Sequence, residues 1–191
     1  MMNLKSFGYS LANLRNIHHE SAKFASVCRL NYHKDCEQAI NKQINMELTA
    51  SYAYLALAAH FNRNDVALMK ISKDFLLESN EERTHAEKLI EYQNKRGGCC
   101  LFEDITKPNV SQVKSIINAY EISLQMEKDV SQSLQNILAI AERNKDFHLS
   151  EFIVSEFLND QINTINDLSI KLTNAKRSGE GLGEYLLEKL S

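Results

Sequence analysis

The sequence holds a single proline, Pro108, in 191 residues, and its six glycines fall at positions 8, 97, 98, 179, 181 and 183. Residues 9–96 and 109–178 therefore contain neither of the common helix breakers. A β-sandwich or barrel would need turn residues roughly every ten positions. No Gly-rich loop follows an apolar strand, so nucleotide-binding α/β folds are disfavoured as well. Long apolar runs are missing too: the longest, Tyr52–Ala59, has eight residues, far below a membrane span. A net charge of −3 offers no basic face for nucleic acid. The four cysteines, Cys28, Cys36, Cys99 and Cys100, show no Cys-x-x-Cys spacing and no neighbouring histidine pair, which excludes a zinc ribbon or a thioredoxin motif. They read as reduced thiols of an intracellular protein, with adjacent Cys99 and Cys100 an incidental loop feature.

What remains is the length of one compact domain, residues 31–191, preceded by a distinct segment, residues 1–30. That segment carries Lys5, Arg15, Lys23 and Arg29 against one acid, Glu20, a net of +3 that leaves −6 for the rest. Leu4, Phe7, Leu11, Leu14 and Ile17 recur at steps of three and four, as in an amphipathic organellar transit peptide. Mitochondrial targeting is the favoured expectation, and a cytoplasmic tail is the alternative.

From residue 34 the apolar periodicity predicts four long helices, over 34–61, 66–96, 113–142 and 147–174, and a short one over 180–190. Asn62–Asp65 and Arg143–Asp146 are short polar connections that join antiparallel neighbours. The middle connection, 97–112, has 16 residues. Extended, it reaches roughly 50 Å, against about 45 Å for a 30-residue helix, so it can run the length of a bundle. The second and third helices are then parallel, and one long crossover is the mark of ferritin-like four-helix bundles.

Each helix has an apolar seam, and each seam is interrupted near midlength by a carboxylate or an amide. The first runs Ile40, Ile44, Glu47, Ser51, Tyr54, Ala58; the second holds Phe75, Glu82 and Leu89, with His85 one turn past Glu82. The third follows a 4-3 spacing through Val113, Ile117, Tyr120, Leu124, Glu127, Ser131, Leu134, Leu138 and Ala141. The fourth runs Val154, Phe157, Gln161, Ile165, Leu168 and Leu172. One polar seam residue is an ordinary register device. Here Glu47, Glu82, Glu127 and Gln161 all lie near midlength, so a bundle brings them to one level. Three carboxylates desolvated together are costly and repel one another, and no lysine or arginine joins them, since Arg83 and Lys128 fall on other faces. A bound cation is the simplest compensation. Carboxylate, imidazole and amide donors without thiolate suit iron or manganese, with room for two ions. The di-metal bundle template uses two Glu-x-x-His motifs. This chain has one, Glu82–His85, because position 164 is Thr164, so one subsite is short of protein ligands.

The runs INMELTASYAYLALAAHF, FLLESNEERTHAEKLIEYQNKRGG and FLNDQINTI resemble animal ferritin of the heavy, catalytic type, and the similarity extends from Asn31 to Leu190. The resemblance implies that Glu47, Glu82, His85, Glu127 and Gln161 form a ferroxidase centre binding two irons per subunit, with Tyr54 hydrogen-bonded beside it and Glu81 adjacent. It further implies a 24-subunit octahedral shell, made of this chain alone or mixed with another ferritin subunit. In that shell Fe(II) is oxidised by dioxygen and stored as ferric mineral.

Several positions depart from the family pattern. Of two acids usual at the three-fold iron channel, Glu151 matches one and Val154 replaces the other. Thr84 stands where a glutamate is common between centre and cavity, leaving Glu81 and Glu87 to support nucleation. The segment GEGLGEYLLEKLS resembles the fifth helix at the four-fold axis, where Leu190 replaces a usual histidine and implies an apolar pore. His33, His60 and His148 lie near helix ends, where capping or solvation accounts for them. Glu121, Glu142 and Glu156 read as a solvated face. The rival reading is a non-catalytic shell subunit or helical module whose polar layer only sets register.

Overall fold

The four periodic stretches form four helical rods in the computed structural model, which describes residues 26–110, 113–179 and 181–190, with Leu190 described by its backbone alone. Helix α1 spans Lys34–Phe61, α2 Met69–Lys95 and α3 Ile116–Arg143. The fourth rod comprises α4, Phe147–Ile153, a π-helical turn over Val154–Leu158, and α5, Asn159–Ser178. A short α6, Leu182–Leu190, follows. Among the described residues there is no strand, and no helix is long and apolar enough to cross a membrane.

Local chemistry sets the helix boundaries. His33 Nδ1 accepts from the Asp35 amide, Ser115 Oγ from Asn118 and Asp146 Oδ1 from Leu149, each supplying a side-chain N-cap. Helix α2 begins at Met69, three residues later than the periodicity predicts, because Ala67 takes a left-handed φ of +58° that no helix continues through. Helix α3 likewise starts at Ile116 because Ser115 is fully extended. At the end of α2, Gly97 adopts a φ of +72° and the Gly98 amide donates back to Gln93 O at 2.9 Å. A Cβ at Gly97 would also stand 2.8 Å from Arg29 N, so only glycine fits.

The crossover makes α2 and α3 parallel, as expected from its length. At one end Arg96, just past α2, grips Asp146, just past α3, at 2.9 Å through both guanidinium nitrogens. At the other end α6 lies across both helix starts: Glu188 accepts from the Lys70 and Ile71 amides, and Glu184 from the Ile116 amide. Helix α2 has no side-chain N-cap of its own, so Glu188 provides one from 117 or more positions away.

The core is split in two. One apolar cluster joins Tyr32, Ile40, Ile44, Leu89, Leu134, Leu149 and Phe157; the other joins Tyr54, Phe61, Phe75, Ile116, Tyr120 and Leu168. Glu47, Glu82, Glu127 and Gln161 are all buried and occupy the helix midsections between the clusters.

Two seams differ from expectation. In α3, Ile117, Leu124, Ser131 and Leu138 are only half-buried, while Ile116, Ser123, Val130 and Ile137 face inward. Tyr120, Glu127, Leu134 and Ala141 belong to both frames, and packing against α1 and α5 decides between them. In the fourth rod Val154 is not an inward residue: it is 41% exposed and Ile153 is buried instead. The buried line Leu149, Ile153, Phe157, Gln161 advances in steps of four, which would drift around an α-helix. The π turn absorbs the drift with its wider winding.

Of the expected 1–30 segment, residues 1–25 lie outside the described residues. Arg29 is tied to the bundle, donating to Glu37 Oε2 at 2.6 Å and to Tyr32 O at 2.7 Å. Cys36 is buried, Cys28 exposed, and Cys99 and Cys100 half-buried.

Candidate metal centre

Helical phase, with the wider winding of the π turn in the fourth rod, carries five polar side chains to the midplane. Glu47 comes from α1, Glu82 and His85 from α2, Glu127 from α3 and Gln161 from α5. The carboxylates are almost wholly removed from water, at 0% exposure for Glu47, 3% for Glu82 and 1% for Glu127.

Glu47, Glu82 and His85 each offer one ligand atom, all within 4.8 Å of one another. His85 Nδ1 sits 3.4 Å from Glu82 Oε2, and the Phe157 ring, on the π turn, packs edge-on against the imidazole at 5.5 Å. Gln43, one turn before Glu47 and fully buried, donates to Glu47 Oε1 at 2.7 Å. Glu47 Oε2 has no hydrogen-bond partner.

Glu127 is held differently. The Tyr54 hydroxyl donates to its Oε1 and Gln161 Nε2 to its Oε2, each at 2.5 Å, and Gln161 also reaches the Glu127 carbonyl at 3.1 Å. Both carboxylate oxygens are therefore occupied. The expected residues thus divide into an open trio of Glu47, Glu82 and His85, and a latched trio of Glu127, Gln161 and Tyr54.

Burial governs the proton chemistry. Desolvation first, then repulsion from Glu82, raises Glu47 well above the usual carboxylate range. Glu82 is pushed up to about 8 by burial and by Glu127. Burial raises Glu127 too, against the opposing effect of its Tyr54 and Gln161 hydrogen bonds. Burial and the Glu127 carboxylate together hold the Tyr54 hydroxyl protonated far above its ordinary range. A layer of this kind is neutralised by protons or by a cation. Its free oxygen on Glu47, beside a second carboxylate and an imidazole, has the donor chemistry of a site for a first-row divalent ion.

The outlying residues sit apart. Glu81 lines an acidic hollow of about 230 Å³ with Glu78, Asp160, Asp167 and Lys171, and Lys171 pairs with Glu78 at 3.4 Å. Glu87 is exposed and engaged by Arg83 at 3.1 Å, so it does not join Glu81. Glu151 and Val154 are both exposed, off the bundle interior. Glu121 and Glu156 pair with Lys176 and Lys88. The sequence reading passed over Gln43, although its position four residues before Glu47 puts it on the same helix face. It also passed over Glu78.

A sequence profile described as a ferritin-like domain matches residues 37–178. The chain belongs to the ferritin family. Ferritin-1 heavy chain of Schistosoma mansoni is 49% identical over 164 residues, covering 86% of this chain and 95% of that one. Soma ferritin of Lymnaea stagnalis is 47% identical and ferritin heavy chain of Echinococcus granulosus 46%, each over 164 residues and 86% of this chain, covering 94% and 95% of their own lengths. Iron storage is the family-level function this membership carries, and multisubunit shells are the family's general form.

Proposed function

We propose that this ferritin oxidises Fe(II) with dioxygen at Glu47, Glu82, His85, Glu127 and Gln161, and stores the Fe(III) as mineral inside a 24-subunit shell, built alone or with another ferritin subunit. The observation that carries the reading is the buried Glu47–Glu82–His85 group with an unpartnered Glu47 oxygen, and with Glu127 near enough to Glu82 to raise it. The open trio takes one ferrous ion. A second binds when Glu127 leaves Tyr54 or Gln161, with Glu82 reaching both. Each Fe(II) gives up one electron, and the pair reduces one dioxygen with two protons to hydrogen peroxide. Oxygen ligands hold the harder Fe(III) product, and the scarcity of ligands at the second position favours its release. Tyr54 positions Glu127 by its hydrogen bond. Glu81 supports nucleation in the acidic hollow, Glu87 does so separately, and Glu151 serves iron access at the shell channel. A register role alone gives no reason to bury Glu47, Glu82 and Glu127 together, where desolvation raises all three.

The test is aerobic Fe(II) oxidation followed by absorbance, with the Glu82→Ala/His85→Ala double variant as control. The expected result is rapid oxidation by the parent and loss of it in the variant. Equal rates in the two would overturn the assignment. On the same reading residues 1–30 are a mitochondrial targeting segment; a reporter fused to them and found diffuse in the cytoplasm would refute that role.

A further inference from the structure

Gln43 is a glutamine with no access to water, one turn after Ile40 on α1 and immediately before Ile44, both members of an apolar cluster. An amide is an expensive choice there, since leucine or methionine would fill the volume without burying a polar group. Only one end of it is used. Nε2 donates to Glu47 Oε1 at 2.7 Å, while Oε1 has no partner. The residue therefore tolerates an orphaned oxygen in order to hold one neighbour.

That neighbour is the one carboxylate of the midplane with a fully buried, donor-free oxygen. Gln43 occupies Glu47 Oε1 and leaves Oε2 open, within the group formed with Glu82 and His85. Glu127 has both oxygens taken by Tyr54 and Gln161, which an arriving ion must displace. A neutral donor is also suited to the task. A lysine or arginine at 43 would neutralise Glu47 and remove its need for a cation, whereas the amide orients the carboxyl group and leaves its neutralisation to a proton or a metal ion.

We infer that Gln43 is a positioning residue: it fixes Glu47 so that the first metal ion meets a preformed oxygen, and it thereby sets the affinity of the Glu47–Glu82–His85 position. The inference rests on the metal-centre reading above and adds a residue to it.

Cobalt(II) serves as the probe, because its visible absorption bands report coordination without turnover. The full chain and Gln43→Met, which keeps length and volume without the donor, are titrated with cobalt(II) and melted with and without it. The expected result is a first-ion affinity about tenfold weaker in the variant, an altered absorption band and a smaller cobalt-induced rise in Tm. Metal-free melting serves as the reference, since the variant loses both the orphaned amide oxygen and the donor to Glu47 Oε1. Unchanged affinity and band, with any change confined to metal-free melting, would show Gln43 to be structural only and overturn the inference. Should Gln43→Met not fold, Gln43→Leu gives the same comparison. Absence of any cobalt band sensitive to Glu82→Ala/His85→Ala in the parent would instead defeat the metal-centre reading itself.

Discussion

Tyr54 on α1 and Glu127 on α3 are joined across the bundle by a phenol-to-carboxylate hydrogen bond, at the boundary between the polar midplane and one apolar half-core. Tyr54 is wholly buried and stacks on Phe75 at 6.1 Å, so its hydroxyl has no freedom to turn elsewhere. The bond makes the two halves of the centre unequal before any ion arrives. Glu47 is ready, and Glu127 must first be released.

Cobalt(II) titration of the metal-free protein should therefore show two separate binding phases per subunit. Tyr54→Phe should leave the tight phase unchanged and bring the weak one closer to it, since one competitor for Glu127 is gone. The same variant should lose about 1–2 kcal/mol of metal-free stability, the ordinary cost of removing a buried hydrogen bond to a carboxyl group. Two equal phases in the parent protein would contradict the asymmetry.

The polar midplane should also make the metal-free protein less stable as pH rises. Glu47, Glu82 and Glu127 are all raised when folded, Glu82 to about 8. A carboxyl raised by burial favours the folded state below its unfolded value near 4.5, and the benefit is lost as pH climbs through the folded one. Metal-free Tm should thus fall from pH 5 to pH 8, and a divalent cation should restore it most at the upper end, where protons no longer compete. A flat profile in the metal-free state, with Glu82→Gln identical to the parent, would show that these carboxyls do not control stability.

Much of this was readable from the residues alone, and the exceptions share a cause. Glu47, Glu82, His85 and Glu127 stand out because each interrupts an apolar line of known period, and period is a local property of the chain. Val154 was misplaced because the π turn adds a residue to one winding, and only the packing of Ile153 and Phe157 against their neighbours pays for that. The frame of α3 was ambiguous for a similar reason: Tyr120, Glu127, Leu134 and Ala141 fit two registers, and the partner helices select one. Gln43 escaped notice because a polar residue before Glu47 reads as flank until its burial is known. The cap on α2 comes from Glu188, and α3 gains Glu184 beside its local Ser115 cap, each from more than sixty positions away, where no periodicity reaches.

Those caps make α6 part of the bundle's stability. Glu188→Ala should cost about 0.5–2 kcal/mol, the usual range for a lost helix N-cap, because α2 has no other side chain to serve its first amides. Glu184→Ala should cost less, since Ser115 still caps α3. Urea unfolding of the single variants and the double gives the comparison. Equal losses from the two would mean that the local Ser115 cap contributes nothing.

The opposite end of the bundle depends on a buried ion pair. Asp146 is 5% exposed, accepts both Arg96 nitrogens at 2.9 Å and caps α4 through the Leu149 amide at 3.1 Å. Arg96 lies 4.6 Å from the Tyr32 ring centroid and donates to Asn31 O at 3.1 Å. Arg96→Ala leaves the carboxylate buried and unpaired, which should cost about 3–5 kcal/mol, while Arg96→Lys keeps the charge but loses the two-point geometry and should fall between. Asp146→Asn retains an oxygen for the cap, so adding it to Arg96→Ala should recover part of the loss. A double-mutant cycle by urea unfolding measures that recovery. Strict additivity would mean that the two residues act independently, and that the parallel ends of α2 and α3 are held together by apolar packing rather than by this contact.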